Sequence, residues 1–245
     1  MRGKYYIESP ESERKYRRLA ALGRELGVPV PQVFLEMEVT MPDGRVMHHH
    51  KQRSHSWVRN AYNMMFSELA AVNLPDSLYA AGKLGIKRTS GAIDGGAIPV
   101  TLPQGGVSML VAGPYGYTAP SADPTAGIVV GYDTATGESF EGYVLINPIL
   151  EGTTNDGHHL NFILSQPYTL TISGAPQTAS AAMTRFMNNN SGGNVTVGEV
   201  ALYMAGFSAG SQKWCMSRDH LASPVTIPNT GQLKVTYTIS LAYPA

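Results

Sequence analysis

The carboxy-terminal hundred residues alternate between polar and apolar positions, and this pattern constrains the fold more than any other feature of the chain. Two runs show it most clearly, VTVGEVALY at residues 195–203 and LKVTYTISL at residues 233–241. Each follows a turn-forming segment rich in Asn and Gly, residues 188–194 and 228–231. β-branched and aromatic residues at a period of two, bounded by such turns, predict half-buried antiparallel strands. We therefore expect a mainly β protein, which favours a building block or a binder over an enzyme.

Turn residues recur along the rest of the second half at intervals typical of a sandwich or jelly roll. Further strands are predicted at residues 127–132, 142–151, 159–164, 167–173, 181–188 and 212–218. The predicted fold class is mainly β, an antiparallel β-sandwich or jelly roll with an amino-terminal helix–hairpin–helix arm.

Residues 1–75 are predicted to form this arm. A first helix begins at Ser9, an N-cap followed by proline, and ends at Gly27. A hairpin follows over residues 32–52, where an alternating run meets a Pro-Asp-Gly turn. Ser56 is then predicted to cap a second helix. The arm leads through a Gly- and Pro-rich connector, residues 76–126, to a β-sandwich domain, residues 127–245.

The first helix is short, basic and amphipathic. Its apolar positions recur at helical spacing at Tyr16, Leu19, Ala20, Gly23 and Leu26. A helix of this length is not stable in isolation. We therefore expect it to pack against another part of the molecule or against a neighbouring subunit.

Composition and charge narrow the function classes. The formal net charge is zero, which argues against a nucleic-acid-binding surface over the whole molecule. Charge is nevertheless uneven, since residues 1–60 hold 11 Lys or Arg against 7 Asp or Glu, net +4, and residues 61–245 carry the opposite excess. Opposite signs favour head-to-tail contact between copies, while an ordinary solvated helix would explain the basic excess equally well.

The cysteine content and the hydropathy of the chain indicate the cellular compartment in which it is made. Cys215 is the sole cysteine, so a disulfide within the chain is impossible. No apolar run of a signal peptide follows the first charges, and no stretch approaches the ~20 apolar residues that cross a bilayer. We expect a soluble protein made in a cytoplasm, without membrane or cofactor.

Five segments form an ordered set along the chain. They are HSWVRNAYN at 55–63, GIVVG at 127–131, NNNSGGNVTVGEVALY at 188–203, MSRD at 216–219 and PVTIPNTGQLKVTYTI at 224–239. In this order they resemble a family of tailed-bacteriophage structural proteins. The resemblance implies a virion protein, made in the host cytoplasm and carrying no catalytic residues. It also implies assembly with copies of itself and other virion proteins, as a head-decoration, neck or tail accessory component.

Six side chains are candidates for subunit contacts. They are Arg14, Arg17, Arg18, Trp57, Tyr115 and Tyr117. The arginines make the first helix basic, and aromatic side chains commonly anchor protein interfaces. Exposed tyrosines can also stack on sugars. A host-surface glycan-binding fibre or receptor-binding module is therefore the alternative function.

Three consecutive histidines form the most conspicuous polar cluster. On a strand, His48 and His50 point to one face and His49 to the other. A further histidine such as His55 could complete a metal site across a subunit boundary. No Cys-x-x-Cys or His-Glu-x-x-His motif accompanies them, so we predict no metal and expect solvated or hydrogen-bonded imidazoles.

The remaining polar residues give little reason to expect an enzyme. Glu138, Glu141 and Glu151 could be paired carboxylates of a glycoside hydrolase, but sequence spacing says nothing about the separation that such a pair needs. Arg218 and Asp219 are interpreted as a structural ion pair at the end of a strand. The predicted function is structural.

Overall fold

The computed structural model describes residues 4–54, 56–70, 85–94, 116–167, 169–174, 177–205 and 212–243. Over these residues the protein is mainly β, as the alternating pattern predicts. The chain divides into two compact units. Unit 1 comprises Met1–His55, Glu151–Thr196 and Leu221–Ala245, and unit 2 comprises Ser56–Leu150 and Val197–His220.

Two helices and thirteen strands lie within the described ranges. The helices are α1 (Pro10–Glu25) and α2 (Arg59–Ala70). The strands are β1 (Lys4–Ile7), β2 (Gln32–Thr40), β3 (Val46–Arg53), β4 (Ile86–Lys87), β5 (Ile93–Asp94), β6 (Gly127–Gly131), β7 (Leu150–Glu151), β8 (His159–Phe162), β9 (Thr169–Ser173), β10 (Thr178–Asn188), β11 (Val195–Ala205), β12 (Lys213–Ile227) and β13 (Gln232–Ala242). None of the described helices is long and apolar enough to span a membrane.

The larger sheet builds unit 1. Its strands lie in the order β1-β3-β2-β13-β10-β8-β7, and β9 also pairs with β10. The predicted hairpin is an integral part of this sheet, because β2 pairs with β3 on one side and with β13 on the other, both antiparallel. Along β2, Leu35, Met37 and Val39 are fully buried while the residues between them are only half-buried. This alternation places the core of unit 1 on one face of the sheet.

Helix α1 begins where the sequence predicts. Ser9 is its N-cap, and the side-chain oxygen accepts a hydrogen bond from the backbone N–H of Ser12 at 3.2 Å. Gly27, with φ of +66°, follows its end. The prediction that Ser56 caps the second helix is wrong. α2 begins at Arg59, and the buried hydroxyl of Ser56 instead donates to the Asp219 carboxylate at 2.7 Å.

Unit 2 contains β6 together with parts of β11 and β12, in the order β12-β11-β6. β6 is buried along its whole length and pairs antiparallel with β11. Two apolar clusters lie among the described residues of this unit. One gathers Val58, Val129, Leu145, Ala201, Tyr203 and Cys215, and the other gathers Met64, Ile86, Trp214 and Met216.

Most of the predicted strands are present, with two corrections. β12 continues to Ile227, well beyond the predicted end at residue 218. The predicted strand over residues 142–151 is wrong, because only Leu150–Glu151 is a strand there. The arm, connector and sandwich domain inferred from the sequence stay predictions.

Candidate assembly surface

An enclosed arginine helps to fasten helix α1 to the sheet of unit 1. Arg53 ends β3, and its guanidinium lies 3.8 Å from the Tyr16 ring centroid and 4.6 Å from the Phe34 ring centroid. It also forms ion pairs with Glu8, at 3.3 Å, and with Glu13. The arginine is therefore held between two aromatic rings and two carboxylates, so α1 has a defined position on the sheet.

Two further contacts fix the same helix face. The Tyr16 hydroxyl donates to the carbonyl of Pro31, and Gly23 is buried against Val30 so closely that a Cβ there would lie 2.5 Å from its methyl group. Hydrogen bonds from Arg17 and then Arg53 hold the pKa of Glu13 below its usual value. The glycine is thus required by close packing, and the carboxylate stays charged.

This attachment leaves a stripe of leucines on α1 exposed. Leu19, Leu22 and Leu26 are spaced by three and four residues, so they lie along one side of the helix. Their exposed fractions are 50%, 49% and 66%. The sequence placed Leu19 and Leu26 on the packed face with Tyr16 and Gly23, but the structure leaves both largely exposed to solvent.

The three predicted arginines also lie on the exposed part of this helix. Arg14, Arg17 and Arg18 are all exposed. Arg17 forms a 2.8 Å ion pair with Glu13 one turn earlier. An exposed ion pair of this kind contributes little to the stability of the fold. Helix α1 therefore presents apolar and basic side chains together, and their role in subunit contacts stays a prediction.

Two of the three predicted aromatic residues belong to unit 2. Trp57 and Tyr117 are half-buried in unit 2, where both pack against the cluster that contains Trp214 and Met216. Tyr115 lies outside the described residues. The interface role of these three residues stays a prediction.

The histidine cluster is internal. His48 and His50 are buried on one face of β3, as the period of two predicts, while the His49 ring is 2.7 Å from the Glu36 carboxylate. Nε2 of His50 is 2.8 Å from Oε1 of Gln52, and an amide oxygen can only accept, so this nitrogen carries the proton. Within the described residues no group of three or more His, Cys, Asp or Glu could hold a metal ion.

The burial of His50 predicts acid sensitivity. Desolvation lowers the pKa of His50, helped by the charge of His49 and opposed by the Gln52 hydrogen bond. The unfolded chain then takes up a proton near pH 6.5 that the folded chain does not, so stability falls as the pH drops below about 6.5. The contribution is at most about 1.4 kcal/mol per pH unit. Urea unfolding between pH 7.5 and 5 should show a shallower pH dependence for His50→Gln than for the wild type; equal slopes would contradict it.

All three candidate glycosidase carboxylates accept hydrogen bonds, and Glu138 accepts one from the backbone N–H of His220 at 3.2 Å. Glu141 accepts hydrogen bonds from Arg59, one of them at 2.8 Å, and these lower its pKa. Glu151 accepts from Asn161 and from the backbone N–H of Phe162 at 2.7 Å. The lowered pKa of Glu141 is the opposite of what a general acid needs.

A buried ionic network in unit 2 replaces the predicted Arg218–Asp219 pair, which is wrong. Neighbouring residues on a strand point to opposite faces. Arg218 accordingly reaches Glu199 at 2.7 Å and Asp133 at 3.8 Å, while Asp219 accepts from the hydroxyls of Ser56 and Ser217. These partners could not be predicted from local patterns, because they lie 19 and 85 residues from Arg218 along the chain.

The one cysteine lies in the same unit and is chemically protected. Cys215 is fully buried, and burial raises the pKa of its thiol well above the usual value. The thiol therefore stays protonated and inaccessible, unlike a nucleophilic cysteine, which is a partly exposed thiolate.

Comparison with known proteins does not extend this description. No protein-family model matches the chain, and no curated protein or solved structure matches it.

Proposed function

We propose that this chain is a structural protein of a tailed-bacteriophage particle, which assembles with copies of itself and with other virion proteins. The proposed place is a head-decoration, neck or tail accessory component. The phage setting comes from the resemblance of the ordered segments between residues 55 and 239. The proposed fold is a β-sandwich or jelly roll whose amino-terminal residues 1–75 act as the assembly arm.

The observation that carries the assembly role is the leucine stripe of α1. A helix fastened as firmly as this one could have presented polar side chains to water, yet it presents Leu19, Leu22 and Leu26. Contiguous exposed apolar side chains commonly mark interaction sites. Covering them would stabilise a complex by about 25 cal/mol for each Å² removed from water. The neighbouring arginines would then favour a partner surface of opposite charge.

A charge placed in this stripe should weaken assembly without unfolding the protein. We expect Leu22→Lys to reduce self-association, or binding to its virion partner, by tenfold or more, because the lysine would be buried in the contact. Ala21→Lys is the matched control, since Ala21 is also exposed but lies about 100° around the helix. Sedimentation velocity measures association, and circular dichroism confirms that both variants are folded.

The virion setting has its own test. Quantitative mass spectrometry of purified particles should find this chain at a fixed ratio to the major capsid protein. Near-stoichiometric abundance would indicate a lattice or tube component, and a few dozen copies would indicate the neck or tail. Absence from the particles would reject the virion role, whatever the result for Leu22→Lys.

A further inference from the structure

Strand β9 is an open edge of the large sheet. Within the described residues its only strand partner is β10, paired antiparallel from Thr169↔Ala182 to Ser173↔Thr178. All of its side chains are exposed, and Leu170 and Ile172 are 68% and 58% exposed. An edge of this kind presents backbone N–H and C=O groups that another strand can pair with.

The outward-facing groups of β9 can be identified from the hydrogen bonds of its neighbour. The backbone N–H of Tyr243 donates to the Gln177 carbonyl, and that of Gln166 donates to the Thr184 carbonyl. Odd-numbered residues of β10 therefore bond toward β13, and even-numbered residues bond toward β9. Since Ser180 is paired with Thr171, Thr171 bonds inward. The N–H and C=O groups of Leu170 and Ile172 consequently point to the open edge.

The side chains of this edge extend an apolar surface. Leu170 is paired with Ala181, and Ile172 with Ala179. These alanines are in turn paired with Ile239 and Leu241 of β13, which are only half-buried. The face that forms the core of unit 1 thus continues outward to β9 and ends there exposed.

Two of the usual protections against edge pairing, charged residues and proline, are missing from β9. Natural edge strands carry Lys, other charges or Pro to prevent association. The segment from Leu160 to Thr184 contains no Asp, Glu, Lys, Arg or His, and β9 itself has the sequence TLTIS without proline. A sheet edge without these features is suited to being covered.

We propose that β9 pairs antiparallel with β9 of a second copy of this chain, around a twofold axis at Thr171. This deepens the proposed assembly role, on which it rests. In this register Leu170 of one copy lies opposite Ile172 of the other, and each exchanges its N–H and C=O groups with its counterpart. The two Thr171 residues meet at the axis, and their hydroxyls lie side by side, as those of Thr184 and Thr236 do at 3.0 Å within the sheet.

A second copy is the occupant that fits this edge best. The donors and acceptors of Leu170 and Ile172 are symmetric about Thr171, so a twofold axis satisfies all of them at once. Two uncharged strands meet without like-charge repulsion. The apolar faces of the two copies join into one, with Leu–Ile pairs across the new junction.

Cysteine cross-linking tests the register. At the axis the two Thr171 Cα atoms would be about 4.5 Å apart, within the ~4.4–6.8 Å range of a disulfide. Because Cys215 is buried, Thr171→Cys supplies the accessible thiol. Mild oxidation should convert most of this variant to a covalent dimer. Thr169→Cys is the control, because its two copies would be offset by four residues, about 13 Å, and should stay unlinked.

Proline provides the second arm of the experiment. Ile172→Pro removes an outward N–H and no bond to β10, a position where edge strands tolerate proline. We expect this variant to remain folded by circular dichroism and to lose the dimer in light scattering.

Equal cross-linking of both cysteine variants would overturn the proposed register. A dimer that Leu22→Lys dissolves while Thr171→Cys stays unlinked would overturn the β9 contact and leave the assembly role standing. A wild type that is monomeric at all concentrations, together with a Thr171→Cys variant that stays unlinked, would also overturn the β9 contact, with particle mass spectrometry then deciding the virion role.

Discussion

Replacing Glu199 by alanine should destabilise the protein by about 3–5 kcal/mol, because it would leave the Arg218 guanidinium charged and buried without its closest partner. Glu199 is fully buried and Arg218 is 4% exposed. The same carboxylate also accepts hydrogen bonds from the backbone N–H groups of Ile146, at 3.0 Å, and Asn147, at 3.3 Å. Asp133, 3.8 Å from Arg218, is too distant to substitute for it. Urea unfolding at pH 7 measures the effect.

Two matched variants separate charge from hydrogen bonding. Glu199→Gln keeps an acceptor for the two backbone N–H groups and removes the charge, so its effect should be smaller than that of alanine. The double variant Glu199→Met with Arg218→Met removes both charges. It should be more stable than Glu199→Ala, since no uncompensated ion remains. If the double variant were the least stable of the three, the buried charge would not be the cause.

This network also explains why the strand predicted over residues 142–151 is wrong. Valine, leucine and isoleucine in that segment favour a strand, but strand formation needs a neighbouring backbone. The N–H groups of Leu145, Ile146 and Asn147 are instead taken by side chains, the first by the Tyr203 hydroxyl at 2.6 Å and the other two by Glu199. The partners that keep this segment out of a strand lie more than 50 residues away along the chain. Local strand propensity carries no information about such distant partners.

Patterns among residues that are close together in the sequence predicted the secondary structure far better. The start of α1 depends on Ser9, Pro10 and the first turn, all adjacent in the sequence, and the structure confirms it. Strands β2, β10 and β13 follow their own alternation. The pairing of β2 with β13 could not be foreseen, because alternation shows which face of a strand is buried and not which strand lies beside it.

The candidate assembly surface was likewise predicted only in part. The sequence predicted that α1 is amphipathic and needs a surface, but it could not show which apolar residues remain exposed. Arg53 decides this, since its position between Tyr16 and Phe34 sets the rotation of the helix and leaves Leu22 outside. The open edge at β9 was equally hidden, because the sequence predicts a strand without predicting its neighbours.

Asn189→Ala should destabilise the protein by about 2–3 kcal/mol, because it removes a buried hydrogen-bond donor in unit 1. Asn189 is fully buried between two turns. Its amide nitrogen donates to the carbonyls of Gly193 and Ile227, both at 2.8 Å, and its amide oxygen accepts from the Ser191 hydroxyl at 2.7 Å. Alanine would leave both carbonyls without this donor. Thermal and urea unfolding measure the loss.

Asn189→Asp sharpens the test because it alters only the amide. The variant keeps an acceptor for Ser191 but turns a carboxylate oxygen toward the two carbonyls, so repulsion replaces two hydrogen bonds. We expect it to be at least as destabilising as alanine at pH 7 and to recover stability toward acidic pH, where a protonated carboxyl can donate. Asn190→Ala is the control, since the exposed Asn190 donates only to Asn161, and a change within about 0.5 kcal/mol is expected there. A loss at Asn189 no larger than the small change expected at Asn190 would show that the two turns tolerate the missing donor.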